Sequence, residues 1–508
     1  SKHMIGNELY WEEKFFNLLW KGWLSPATPV LSNCGTDRGL TVSCSGQYVG
    51  DSVDSFYKAR YEWAILSKNG FGCSADFSAV RQRGAAISKG GRAEGPVPWM
   101  LRAADDASLI SQGGNRRGSI ATYLDIEHAD FDEMNERLMA EPDGLNIGWT
   151  ITDGFVAKLK TGDAEAERRF TAAMYTKLVV GKGYFFFIDK ANRHRPMAYK
   201  DLGLDIKASN LCTEIMLHSS ESLTFSCVLS SMNAFKYDEW KDTDAVFDAT
   251  VFLDCVVSDF LEKSAGIPGL EKVRKFTEKG RAVGLGILGW GTYLQAKRIP
   301  YESLEAHFLN IEIFKKLHDD SLDASKWLAE ELGEPEWLIG RGERMTHRTA
   351  QAPTKSTSGL MGNLSEAIFP EPGMVYEQGS AAGGMHKIIP EIYKIMVERG
   401  VYSKETCDDI VAHVGSVQHV DWLDDFEKEV FKTAFEIDQR VLLRYASKRQ
   451  PYLCQGQSLN FFWSEDGDED RIAEVMTEAF LDEEILSVYY FYSRSGVVVN
   501  SVCASCEA

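Results

Sequence analysis

Apolar positions along this chain recur at two different periods. In residues 8–22, Leu9, Phe15, Phe16, Leu19 and Trp20 stand at broadly helical spacing, which predicts an amphipathic helix. Ser25-Pro26-Ala27-Thr28-Pro29 then breaks into a turn and an extended piece. Residues 54–68 predict a second helix, closed by Gly70-Phe71-Gly72, where glycine allows a tight turn and close backbone approach. Short apolar runs at residues 184–188, 223–229 and 283–288 alternate with helical segments, the signature of βα repetition and a mainly parallel sheet. Residues 465–484 are strongly acidic and predict a solvated helix with flanks, and from Ser493 the chain reads as a tail. Gly284-Leu285-Gly286-Ile287-Leu288-Gly289 spells a dinucleotide-binding fingerprint. The segment before it, residues 276–281, is too charged for a buried first strand, so no NAD site is expected.

Composition narrows the function classes. The 508 residues are 44% hydrophobic and 26% charged, ordinary globular values that allow several domains or one large α/β barrel. A net charge of −20 argues against a nucleic-acid polymer as partner, so any phosphate must be held by local donors. No apolar run is long enough to span a bilayer and no secretory signal is legible, so a cytoplasmic location is expected (host cytoplasm for a viral chain). Ten cysteines are scattered through the chain, unlike a disulfide framework. Only Cys503-x-x-Cys506 has redox or metal spacing, and without a second close pair no metal site is expected.

Asn210-Leu211-Cys212-Thr213-Glu214 is the most informative stretch. Read as an extended segment, it puts an amide, a thiol and a carboxyl on one face. Alone, such a trio is more commonly a buried thiol, a satisfied amide and a surface carboxylate. Elsewhere, Ala352-Pro353-Thr354-Lys355-Ser356-Thr357-Ser358-Gly359 is a run of hydroxyls ahead of a helix start, suited to phosphate and equally to an ordinary helix cap. Ser111 to Gly118 is a glycine- and arginine-rich loop, which could also be a solvated turn. Tyr489-Tyr490 are adjacent phenols in what could be an aromatic edge strand.

Taken together and in order, these motifs resemble the ribonucleotide reductase large subunit, with the likeness running from about Ser25 to the C-terminal end. The resemblance implies a ten-stranded α/β barrel with a central finger loop. It implies a thiyl radical on Cys212 that takes the 3′ hydrogen of a ribonucleotide, Glu214 as base for the 3′-hydroxyl, and Asn210 holding the substrate hydroxyls. Cys44 and Cys227 match the reducing thiols that end as a disulfide, and Thr28 and Ser43 match positions near the ribose and phosphate. Thr354, Lys355, Ser356 and Thr357 match the diphosphate loop. Asp51, Arg81, Arg83, Gln112 and Arg116 match an allosteric specificity site for deoxynucleotide or ATP effectors, usually formed in a dimer. Glu214 and the two thiols speak against the glycyl-radical type.

Tyr489, Tyr490 and Arg494 resemble class I subunits, so the resemblance implies a radical delivered by a separate ferritin-like, metal-containing small subunit and no cofactor in this chain. Cys503 and Cys506 match the tail pair that re-reduces the site, itself served by a thioredoxin- or glutaredoxin-like reductant. Thirteen residues on from Tyr490, they could reach ~45 Å in an extended chain. The expected organisation is a helical segment (1–24), a catalytic barrel (25–487) and a dyad with redox tail (488–508), with no N-terminal ATP-cone. Three rivals remain: an adenosylcobalamin-dependent reductase, a non-catalytic nucleotide-binding regulator, and a simple thiol oxidoreductase using the tail pair.

Overall fold

The computed structural model describes residues 7–112, 116–380, 383–464 and 469–493. Its strands, in chain order, are β1 (Leu24–Pro26), β2 (Cys44–Tyr48), β3 (Gly72–Asp76), β4 (Ser111–Gln112), β5 (Arg116–Arg117), β6 (Ile120–Asp125), β7 (Ile147–Ile151) and β8 (Tyr184–Phe187). They continue with β9 (Phe225–Asn233), β10 (Val283–Leu288), β11 (Val375–Ser380), β12 (Gly383–Ile388), β13 (Phe461–Trp463), β14 (Ser487–Val488) and β15 (Phe491–Ser493).

Two parallel half-barrels make the core. One runs β2, β3, β6, β7, β8, each strand parallel to the next. Helices such as Val53–Lys68 and Ala164–Val180 supply the long crossovers that parallel neighbours require. The other half starts with β9 parallel to β10, continues through a bridge from Leu285 to Thr349, and passes from Gln351 to Gln457. It ends with β13 parallel to β15. The halves join antiparallel at both seams, β2 against β9 and β14 against β8. Counting residues 349–351, the segment 457–463 and the run 487–493 as one strand each, ten strands close the ring. The α/β barrel expected from the sequence is the fold.

The strands are buried along nearly their whole length, as a sheet covered on both faces must be. In β10, Gly286 is required by close approach: a Cβ there would lie 2.5 Å from the Ala350 carbonyl oxygen. The glycines of the false fingerprint thus lie mostly within a strand and serve packing inside the ring.

Three expectations need correction. The N-terminal helix spans Glu8–Trp20, but Trp11 and Leu18 are its buried residues while Leu9, Phe16, Leu19 and Trp20 are exposed. The i, i+4, i+7 stripe of Trp11, Phe15 and Leu18 faces inward, and Trp11 and Phe15 rest on Trp327 and Phe252. The acidic helix, Glu469–Leu481, is not simply solvated, because Ile472, Val475, Met476, Ala479 and Phe480 form a buried face. The stretch from Asn210 to Glu214 is a turn, not a strand, with Thr213 at φ 69° and the Asn210 N–H donating to the Ile215 carbonyl.

A satellite unit with its own core, including Met374, Ile392, Met396, Ile410 and Phe431, combines the β11–β12 hairpin with helices Pro390–Glu398, Lys404–Ala412 and Asp425–Val430. Among the described residues no helix is long and apolar enough to cross a membrane.

Candidate active site

The turn at residues 209–216 is held by groups from several staves of the ring. Tyr123 of β6 donates its hydroxyl to the Asn210 carbonyl at 2.7 Å. The Gly456 N–H donates to the Glu214 carbonyl, and Gln455 Oε1 accepts the Met216 N–H. Ser458 donates to the Cys212 carbonyl at 2.6 Å and lies 3.1 Å from Glu214 Oε2, and Ser487 donates to the Thr213 carbonyl. With the carbonyls of Asn210, Cys212, Thr213 and Glu214 all tied to the wall, the loop behaves as a rigid finger, although the Thr213 hydroxyl is buried without a partner.

Its tip opens on a cavity of about 700 Å³, open mouth included. Cys212, Glu214, Cys44, Ser43, Thr28 and the 354–357 loop all lie on its wall. Cys44 and Cys227 are directly opposed partners across the β2–β9 seam. Such partners have Cα atoms about 4.5–5.5 Å apart, within the range a disulfide spans. Both thiols are free and buried, and Asn210 donates to Cys44 Sγ at 3.2 Å. Burial pushes the ionisation of both thiols up, so they stay protonated at neutral pH. Burial likewise pushes the Glu214 carboxyl up to about 7, opposed by hydrogen bonds that include Asn210 and Ser458. That carboxyl can take a proton near neutrality and give it back.

The phosphate-loop residues are less uniform. Helix Lys355–Leu360 begins after Thr354, whose hydroxyl accepts from the Ala367 N–H at 2.7 Å and pairs with Ser358, so it braces the loop. Thr357 donates to the Thr354 carbonyl. Ser43 differs: its hydroxyl is buried without a hydrogen-bond partner. An unmet buried hydroxyl costs about 1–3 kcal/mol, which a polar ligand in the cavity would relieve.

Tyrosines approach Cys212 from the other side. Tyr489 Oη lies 3.5 Å from Cys212 Sγ, and the Tyr489 and Tyr490 rings are 4.0 Å apart. Both are buried on an internal stave, so they are no edge strand. Tyr184 of β8 donates to Tyr490 Oη at 3.1 Å and packs on the Tyr489 ring at 4.8 Å. The buried Lys177 amine donates to the carbonyls of Tyr489 and Gly183. Cys503, Cys506 and Arg494 lie outside the described residues.

At the specificity positions, Asp51 and Arg81 form an ion pair at 2.6 Å. Arg83 is engaged by Glu94 and Glu133. Gln112 and Arg116 are backbone partners in the β4–β5 hairpin.

Sequence reading missed Ser458, Gln455, Tyr184 and Lys177. The alternating polar residues of Gln455-Gly456-Gln457-Ser458-Leu459-Asn460, set between Leu453 and Phe461, were the available signal, since polar side chains in a buried strand need partners. Nothing local marks Tyr184 or Lys177.

Comparison with known proteins gives a consistent picture. The family description "Ribonucleotide reductase, barrel domain" matches residues 42–167, 156–338 and 337–491, and "Ribonucleotide reductase, all-alpha domain" matches residues 2–39. The chain is 34% identical to the putative ribonucleoside-diphosphate reductase large subunit of Frog virus 3, over 91% of this chain and 84% of that one. It is 27% identical to the ribonucleoside-diphosphate reductase large subunit of Invertebrate iridescent virus 3, over 96% and 89%. Among solved structures, the Actinobacillus ureae class Id ribonucleotide reductase alpha subunit superimposes with TM-score 0.87 at 38% identity, covering 95% of this chain and 90% of that chain.

Proposed function

Because the chain belongs to the ribonucleotide reductase large-subunit family, we propose that its cavity reduces ribonucleoside diphosphates by a thiyl-radical route in which Cys212 is the radical site. It is a class I alpha subunit, which relies on a separate small subunit for its radical, and its substrate is a nucleotide. The cobalamin-dependent alternative finds no support in the relatives. The observation that carries the assignment of Cys212 is the contact chain from Tyr490 through Tyr489 to Cys212 Sγ, ending at a cavity whose wall also holds Glu214 and Cys44, with Cys227 opposite Cys44 across the seam.

Each group has work its surroundings suit. Oxidised Tyr489 takes the hydrogen of the Cys212 thiol across the 3.5 Å contact. The Cys212 radical takes the 3′ hydrogen of the ribose while Glu214 accepts the 3′-hydroxyl proton. The 2′-hydroxyl leaves as water with a proton from one of Cys44 and Cys227, and the other thiol gives its hydrogen to C2′. The pair supplies two electrons and closes to a disulfide, and Glu214 returns its proton to O3′. Burial keeps that pair as neutral thiols, the form that carries a proton to deliver. Cys212 then returns its hydrogen to C3′. Asn210 ties this machinery together through Cys44, and Ser43 with the 354–357 loop receives the ribose and phosphates. Cys503 and Cys506 re-reduce the pair, drawing on a thioredoxin- or glutaredoxin-like reductant. The small subunit is ferritin-like and metal-containing. Asp51, Arg81, Arg83, Gln112 and Arg116 serve a specificity effector.

The test is single-turnover reduction of a ribonucleoside diphosphate with a class I small subunit. Cys212→Ser and Tyr489→Phe should each bind nucleotide and form no product, because serine's O–H bond is too strong and phenylalanine cannot be oxidised at an accessible potential. Product formation by either variant at the parent's rate would overturn the assignment.

A further inference from the structure

Far along the chain from the catalytic finger, in the satellite unit, three metal-binding side chains face one another. Asp409 and His413 are four residues apart at the end of helix Lys404–Ala412, so they share one face of its last turn. The chain reverses at Val414 (φ 58°) and Gly415 (φ 80°), which brings His419 back over His413. The two imidazoles stack with centroids 3.6 Å apart and planes 19° from parallel. His419 Nε2 lies 2.8 Å from Asp409 Oδ2, and His413 Nδ1 lies 3.4 Å from Asp409 Oδ1. One donor atom from each residue falls within 4.8 Å of the others.

An ordinary surface ion pair would need only His419 and Asp409, and would be worth about 0–1 kcal/mol. His413 Nδ1 also lies 2.8 Å from the Asp409 carbonyl oxygen, which holds its ring at the helix end. That bond does not require the His419 ring to stack on it at van der Waals distance, an arrangement that two imidazolium rings would make repulsive. A shared cation removes that penalty, because each ring then turns a lone pair, not a proton, toward the centre. The C-terminal end of a helix carries partial negative charge, and the chain's charge of −20 further favours cations.

We propose that Asp409, His413 and His419 form a surface site for a borderline divalent transition cation of the zinc class. Two imidazoles and one carboxylate suit Zn²⁺, Co²⁺, Ni²⁺ or Cu²⁺ and disfavour Mg²⁺ and Ca²⁺, which prefer oxygen donors. With bonds of about 2.0–2.2 Å, tetrahedral ligand atoms sit roughly 3.3–3.5 Å apart, so the three donors need only converge by about 1 Å. The side chains are partly exposed and free to make that move, with 50%, 50% and 29% of Asp409, His413 and His419 open to solvent. On binding, His413 Nδ1 gives up its hydrogen bond to the Asp409 carbonyl, and it and His419 Nε2 give lone pairs to the ion while each neutral ring carries its proton on its other nitrogen. The remaining coordination positions face solvent. The ion would fasten the segment after the reversal to the helix end.

Zn²⁺ itself is the probe. Full-length protein is first treated with iodoacetamide, so that accessible cysteines cannot take metal, and is then titrated calorimetrically with Zn²⁺. One ion per chain should bind, with no comparable uptake of Mg²⁺. Asp409→Ala, His413→Ala and His419→Ala should each weaken binding by about tenfold or more, since losing a ligand costs at least what losing a ligand's supporting partner does. Cu²⁺ bound in place of Zn²⁺ should show electron-spin resonance coupling to two nitrogens. Hydrogen exchange at residues 413–419 should slow when Zn²⁺ is added to the parent and not to the His413→Ala protein. Uptake undiminished in the His413→Ala, His419→Ala double variant would overturn the proposal, and so would absence of uptake by the parent. The altered side chains are on the surface, so the variants should keep the fold, and far-ultraviolet circular dichroism checks that lost uptake does not come from unfolding.

Discussion

At the scale of single residues, Glu214 has the most specific consequence. Its carboxyl is pushed up to about 7 by burial, so it becomes a competent base only as pH rises through neutrality. The kcat/KM profile should therefore have an ascending limb near pH 7, and Glu214→Gln should lose that limb and about 10²–10⁴-fold in rate. Stability should move the opposite way. A raised folded-state value means the contribution is intact below the unfolded carboxyl's value of 4.5 and is lost as pH climbs through about 7. Glu214→Gln, which cannot ionise, should resist denaturant better than the parent at pH 8 and gain little at pH 4. Parallel denaturation curves at both pH values check this. The partners around Glu214 were not legible from its motif: Ser458 lies 244 residues away in sequence and Cys44 is bound by Asn210 across 166.

At the scale of elements, strand β10 shows how packing can imitate a binding motif. Its glycines spell a phosphate-binding pattern, but the approach of residues 349–351 decides their role. A methyl group at Gly286 would press on a backbone oxygen that cannot swing away. Gly286→Ala should therefore cost about 1–3 kcal/mol by overpacking, read as a lower urea midpoint. Gly144→Ala, where added carbon meets nothing within 4 Å, should stay within about 0.5 kcal/mol of the parent. Helix Glu469–Leu481 teaches the same lesson from the other side. Its acidic composition suggested full solvation, yet spacing of Ile472, Val475, Met476 and Ala479 gave it a buried face.

At the scale of the whole molecule, the acidic net charge leaves effector binding to local donors, and Asp51 paired with Arg81 is the described pair among the specificity positions. Deoxynucleotide effectors should raise the dimer fraction in sedimentation and shift substrate preference, and Asp51→Ala should blunt both responses. A parent protein whose association and substrate choice ignore every effector would remove that role from these residues. The sequence by itself determined the α/β class, the order of the chemistry-bearing motifs and the family they resemble, because a motif keeps its residue types whatever its surroundings. Tertiary structure alone decided that the stretch at Asn210 is a turn, that Cys44 faces Cys227, and that Tyr489 meets Cys212 across 277 residues. The reason is physical: ring closure fixes register between distant strands, and which groups are buried together, with their ionisation and partners, follows from that register.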